Sequence, residues 1–360
     1  MMDAAFPLWA TAGVHPAIGF YERLTQTGAP IDDETTRVRL QARQTFCFAY
    51  AKHLGWEPGT CDRLIARGMD TLLSHCRRPD GLFGKQMAYA GGLADDTVDL
   101  YDNAFALLAF SWAHRAGHDT AGQAALDLSR LIDQHLERPS GEGGFREKLP
   151  ALAIRLQNPH MHLFESSLAL HEATGDARAL ERARSIEALL TQRFLQADTG
   201  ALREEFALDW GPANGDRFED GHQYEWVWLM AERARLDGAP ISDASDALYT
   251  NALDLTGPDG ALPLSHRLDR SVLNASERTW GLTEALKAHL ARYEAGDNQA
   301  AARAAETFEL MWARHVEPGP DGGWLDEYRA DGSPRSEDMT AATGYHIFIA
   351  CAELIRAAGA

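Results

Sequence analysis

The sequence predicts an all-α protein, an (α/α)6 barrel of six helical hairpins with its active site at one mouth. Three observations predict it. Glycine loops of similar make-up recur about every 57 to 63 residues, and the stretches between them have helical periodicity. One helix of each pair opens with polar or aromatic residues where a core helix would be apolar.

In chain order the loops are DGLFGK at Asp80, GGFREK at Gly143, GALREEF at Gly200, GALPLSH at Gly260 and GGWLDEY at Gly322. TGAPIDDETTRVRLQARQ near Gly28 is a degenerate first member. Each joins glycine to an apolar or aromatic residue and often to an acid or base, the make-up of a tight turn with positive φ and a polar tip. Between them AALDLSRLIDQHL, ALERARSIEALLTQRFL and AARAAETFELMWARHV repeat apolar residues at three and four positions, and proline is confined to connections. A period of about 60 divides the 360 residues into six pairs, and residues 1–360 are read as one catalytic domain.

The unusual helix starts are RLQARQ at Arg39, YDNAF at Tyr101, HMHLFE at His160, GHQYEW at Gly221, RTWGLTE at Arg278 and GYHIF at Gly344. If the helices that carry them run parallel around an axis, with their partners outside, these ends meet at one concave, aromatic-lined mouth. An open helical solenoid is the competing topology; a whole number of pairs favours closure.

Composition narrows the partners. With 45% hydrophobic and 9% aromatic residues the chain can fill a large core, and its net charge of -19 repels phosphate backbones and anionic lipid. No nucleic acid or membrane partner is expected, and a small neutral or polar ligand fits better. Cys47, Cys61, Cys76 and Cys351 show no paired spacing and read as reduced thiols. No signal peptide or run of about 18 apolar residues is visible, so a soluble, cytoplasmic monomer or homodimer is expected.

In NPHMHLFE, Asn158 reads as an N-cap with Pro159 at the first helical position. His160 and His162 then lie about 200° apart around the axis and cannot share one metal ion, whereas His162 and Glu165 share a face. His162 is expected at the mouth and His160 in packing or capping, with no metal. In GHQYEW, His222 and Glu225 lie three apart, with Trp226 next. In RTWGLTE, Trp280 and Glu284 lie four apart and set a flat ring beside a carboxylate, as sugar pockets do. His346 has apolar neighbours, the usual setting of a core histidine, but its place at the common helix end makes it a site candidate. Arg43 is a permanent cation on an inner helix, and Tyr101 and Asn103 line or support the pocket. No dinucleotide, Walker, nucleophile-elbow or zinc-protease motif is present, and no cofactor is expected.

Together RLQARQTF, LYDNAFALLAF, NPHMHLFESSLAL with HEATGD, GHQYEWVWL, RTWGLTEALKAH and GGWLDEYRADGSP through YHIFIA resemble the N-acylglucosamine 2-epimerase superfamily. The third motif looks most like that of its aldose–ketose isomerases acting on mannose and similar sugars. The resemblance implies the same barrel, no required metal, and two histidines that move a proton next to a carbonyl. Carried over by motif, these are His222 and His346, with Arg43 and His162 near the reacting oxygens and Glu225, Trp280 and Glu284 shaping the sugar site. In YDNAF many relatives have histidine in place of Asn103.

The chemistry is sound without the family. A neutral histidine can take a proton from C2 and return it at C1, while a cation stabilises the enediolate oxygen. Returning the proton to the opposite face of C2 would make a 2-epimerase with the same residues. Two other functions compete. Glu225 with Glu284 would be the acid pair of a glycoside hydrolase, and a binding protein would need neither histidine.

Overall fold

The computed structural model describes residues 1–139, 141–213 and 215–359. Its helices are α1 (Ala5–Thr11), α2 (Val38–His53), α3 (Pro58–Thr71), α4 (Leu100–Arg115), α5 (Asp119–Leu136), α6 (Gln157–Thr174), α7 (Ala177–Leu189), α8 (Asp220–Asp237), α9 (Asp243–Leu255), α10 (Thr279–Glu294), α11 (Asn298–Met311) and α12 (Ala341–Ala358). The even-numbered helices form an inner ring in which each packs on the next and α12 returns to α2, so the barrel is closed and not an open solenoid. The odd-numbered helices stand outside. Short α1 takes the sixth outer place, where Trp9 stacks on Trp324 of the last glycine loop at 5.1 Å.

Sequence pattern separates the two rings. Helix α5 buries Ala121, Ala125, Leu128, Ile132 and Leu136, one stripe at three- and four-residue spacing, and leaves its other face to water. Helix α4 buries 12 of its 16 residues, as a helix enclosed on every side must. The outer helices α3, α7 and α11 each end in a π turn (Leu72–Cys76, Leu190–Phe194 and Trp312–Val316) that leads the chain into its glycine loop. There Gly200 (φ 72°) and Gly322 (φ 78°) take the left-handed backbone that the loops predicted.

The rim has structure that the sequence did not announce, in strands of two or three residues. Residues 35–37 pair with 86–88 and 154–156 with 205–207, and 338–340 pair back with 23–25 near the N-terminus. The first amide of an inner helix donates across this rim to the next loop, Leu100 to the Glu147 carbonyl and Gln157 to that of Glu204. Ala341 of α12 donates to Glu22, which completes the circle. Six inner N-termini therefore face one mouth, where their dipoles sum to a positive field.

None of the helices among the described residues is long and apolar enough to cross a membrane. All four cysteines are free, with Cys47, Cys61 and Cys76 buried.

Candidate active site

The mouth opens into a cavity of about 540 Å³ walled by the first two turns of the six inner helices. Arg43 comes from α2, Tyr101 from α4, His162 from α6, His222 and Glu225 from α8, Trp280 from α10 and His346 from α12. Residues separated by up to 303 positions thus face one small volume. The indole of Trp280 lies between the two distant imidazoles, its centroid 5.1 Å from that of His222 and 6.1 Å from that of His346.

The two histidines sit among very different charges. His222 Nδ1 donates to Glu204 Oε1 at 2.7 Å, and its Nε2 lies 3.9 Å from Glu219 Oε2. Burial opposes a charge there, yet Glu204 and then Glu219 raise His222 to about 10, so it is an imidazolium. His346 Nδ1 donates to Glu284 Oε1 at 2.8 Å, but Glu284 is already answered by the Lys287 ammonium 2.6 Å from Oε2. Burial therefore prevails, lowers His346 to about 4 and leaves it neutral, with the Nε2 lone pair free.

Between them lie the groups for oxygen. His162 Nδ1 donates to Glu165 Oε2 at 2.9 Å, with its Nε2 4.0 Å from Glu225 Oε1. Burial, and then Glu284, push Glu225 well above the usual carboxylate range, so it is a neutral acid; its Oε1 has no partner. Arg43 donates to the Tyr101 hydroxyl at 2.8 Å and lies 4.1 Å from the Phe105 ring centroid and 4.8 Å from that of Tyr345. Among the described residues no carboxylate pairs with it, and its Nε is buried without an acceptor. A buried cation held only by a phenol hydroxyl and aromatic faces is placed to meet a ligand oxygen.

Three sequence expectations need correction. Asn103 does not line the cavity: its amide accepts from Phe83 N and donates to Phe83 O and Asp99 O, tying a glycine loop to α4. Glu284 does not line it either, because four residues along a helix also means about 6 Å deeper. It stands under His346, so Glu225 and Glu284 do not form the acid pair of a hydrolase. Asn158 is not the N-cap, for α6 begins at Gln157 after Leu156; Asn158 lines the cavity with Oδ1 unpartnered. His160 lies outside the wall, accepting from Phe145 N and donating to Leu156 O. Trp226 also faces away and donates to Gln157, which donates to Glu204.

Glu204 is the residue that sequence reasoning passed over, and the repeat holds the signal. It occupies in GALREEF the place of Glu147 in GGFREK. Glu147 is matched by Arg138 at 3.0 Å. The fourth repeat has Gln196 where Arg138 would be, which leaves the Glu204 charge for His222. Among the described residues no group of three or more His, Cys, Asp or Glu is arranged to hold a metal ion.

The profile of the N-acylglucosamine 2-epimerase (GlcNAc 2-epimerase) family matches residues 19–350. The chain belongs to this family. Within it, the mannose-6-phosphate isomerase of Rhizobium meliloti strain 1021 is 36% identical over 374 residues, covering 98% of this chain and 94% of that one. The cellobiose 2-epimerase of Bacteroides fragilis is 27% identical over 367 residues, with 94% and 92% covered. A crystal structure of a D-mannose isomerase superposes with a TM-score of 0.90 at 20% identity over 98% of this chain and 95% of the other, which supports the barrel fold. This member of the N-acylglucosamine 2-epimerase family is accordingly a sugar isomerase or epimerase.

Proposed function

We propose that the protein interconverts an aldose of the mannose type and its 2-ketose through an enediolate. His346 is the base at carbon and His222 the acid at oxygen. The reading rests on the unequal charge around the two imidazoles. Inverting C2 requires a proton acceptor on one face and a donor on the other. With Glu204 and Glu219 holding His222 as a cation, His346 alone can accept near neutral pH, which favours moving one proton from C2 to C1 on one face.

In this scheme His222 protonates the ring oxygen as the hemiacetal opens. O1 keeps its hydroxyl proton; the imidazole so formed takes the C2 hydroxyl proton as the ketone forms, which restores the imidazolium, while His346 takes the proton from C2 and returns it at C1. Arg43 and the six helix N-termini stabilise the enediolate oxygens.

A phosphorylated sugar fits the same cavity. Its wall carries Arg39, Lys148 and Arg217, each held by a carboxylate only loosely at 3.4, 3.5 and 3.2 Å, and the relative named mannose-6-phosphate isomerase points the same way.

Incubation with mannose, mannose 6-phosphate, glucose, N-acetylmannosamine and cellobiose in deuterated water, followed by NMR, tests the proposal. Ketose formation with deuterium at C1 or internal transfer from C2 is expected. Formation of only the C2 epimer would replace the isomerase by an epimerase, and monosaccharide release from cellobiose would replace both by a hydrolase.

A further inference from the structure

Lys287 is a lysine with no exposed surface, two turns along α10 from Trp280 in the cavity wall. Its Nζ lies 2.6 Å from Glu284 Oε2 and 3.7 Å from the Trp228 ring centroid. A buried ammonium is costly unless paired, and methionine would fill the same space beside an indole more cheaply. The acid that pairs with it is the one that receives the Nδ1 proton of His346.

We propose that Lys287 is a positioning residue for the reaction: its ammonium keeps Glu284 an anion, and this fixes His346 as the Nδ1–H tautomer with the Nε2 lone pair toward the sugar. The inference rests on His346 being the base at carbon. Other charges make the lysine necessary. Around the pair stand Glu225 and His222 of α8, Glu165 of α6, Arg43 of α2, and Tyr345 and Glu353 of α12. Without the ammonium, three carboxyl groups would share one dry interior, and a proton would settle on Glu284 or on His346. Protonated Glu284 would donate to Nδ1 and move the imidazole proton to Nε2; protonated His346 has no lone pair. Either outcome removes the base. Burial pushes Glu284 up, but Lys287 and His346 together hold it down to about 2, in keeping with a fixed anion.

The test is the pH dependence of kcat/KM for Lys287→Met, Lys287→Arg and His346→Asn, with the sugar that wild type turns over. Lys287 lowers His346, so its removal should move the ascending limb to higher pH by about one unit or more and cut kcat about tenfold on the acid side of the limb, with little change in KM. Lys287→Arg should keep the limb in place. An unmoved limb in Lys287→Met, or equal losses in the two variants, would overturn the proposal. Should Lys287→Met not fold, nitrogen-15 NMR of wild-type His346 decides: a neutral Nδ1–H ring down to pH of about 5 is expected, and an imidazolium or Nε2–H ring there overturns it. Turnover retained by His346→Asn would instead sink the functional reading beneath it.

Discussion

The α8 wall and the α12 wall of the cavity each present one imidazole, each buried, each donating Nδ1–H to a glutamate, and yet they carry opposite charge. His222 has two carboxylates, of which Glu219 meets Arg217 at 3.2 Å while Glu204 is left to the ring, and is held as an imidazolium. His346 has one carboxylate already balanced by Lys287, and stays a neutral imidazole. Burial is common to both and so decides nothing. What differs is the number of unanswered negative charges beside the ring, and this sets one residue type in two charge states, the acid and the base of the proposed reaction.

Breaking the α12 side should cost most. His346→Asn keeps a polar group of similar bulk but has no basic nitrogen, and general-base catalysis is worth about 10²–10⁴-fold. A loss of that size in kcat, with substrate affinity and melting temperature nearly unchanged, is expected; steady-state kinetics beside a thermal melt measure it. Retained C2–H exchange in deuterated water would show that carbon is served by another group.

On the α8 side the expected effect is smaller and has a sign. Glu204→Gln removes the carboxylate nearest His222, and because that carboxylate raises the imidazole, the descending limb of kcat/KM should move to lower pH. Loss of the acid form should then cost about tenfold at pH 9, with wild-type activity approached near pH 7. Glu219→Gln should shift the limb less, since its Oε2 is 3.9 Å away and that of Glu204 2.7 Å. Equal shifts would mean that distance does not rank the two acids. The wild-type profile should be broad, rising below the ordinary imidazole range and falling above it.

How much of this asymmetry could be read from sequence follows from helix geometry. Period and polar helix ends sufficed to gather Arg43, Tyr101, His162, His222, Glu225, Trp280 and His346 at one mouth, because angle around an axis is set by spacing alone. Depth along the axis was harder. Glu284 shares a face with Trp280 and yet belongs to the layer beneath it, where the charges that tune His346 reside. The rim strands are too short to show any alternation, so the pairing that closes the circle had no signal. Glu204 was visible only by comparing repeats with each other, where a glutamine standing in the place of Arg138 frees its charge.

The smallest effect concerns Asn103, and it isolates the scaffold from the site. Asn103 accepts an amide of its glycine loop and donates to the carbonyl four residues back, Asp99; His160 does the same with Phe145 and Leu156. Two unlike side chains thus perform one job at equivalent places in successive repeats, which explains why histidine can stand in the YDNAF motif. Asn103→Ala would strand the buried Phe83 amide at a cost of about 1–3 kcal/mol, read as a lower melting temperature. Asn103→His should restore most of it, since the imidazole can make both bonds. Neither change should move a limb of the pH profile, because Asn103 touches no charge that faces His222 or His346; a shifted limb in either variant would mean that the loop it pins also sets the cavity's charge.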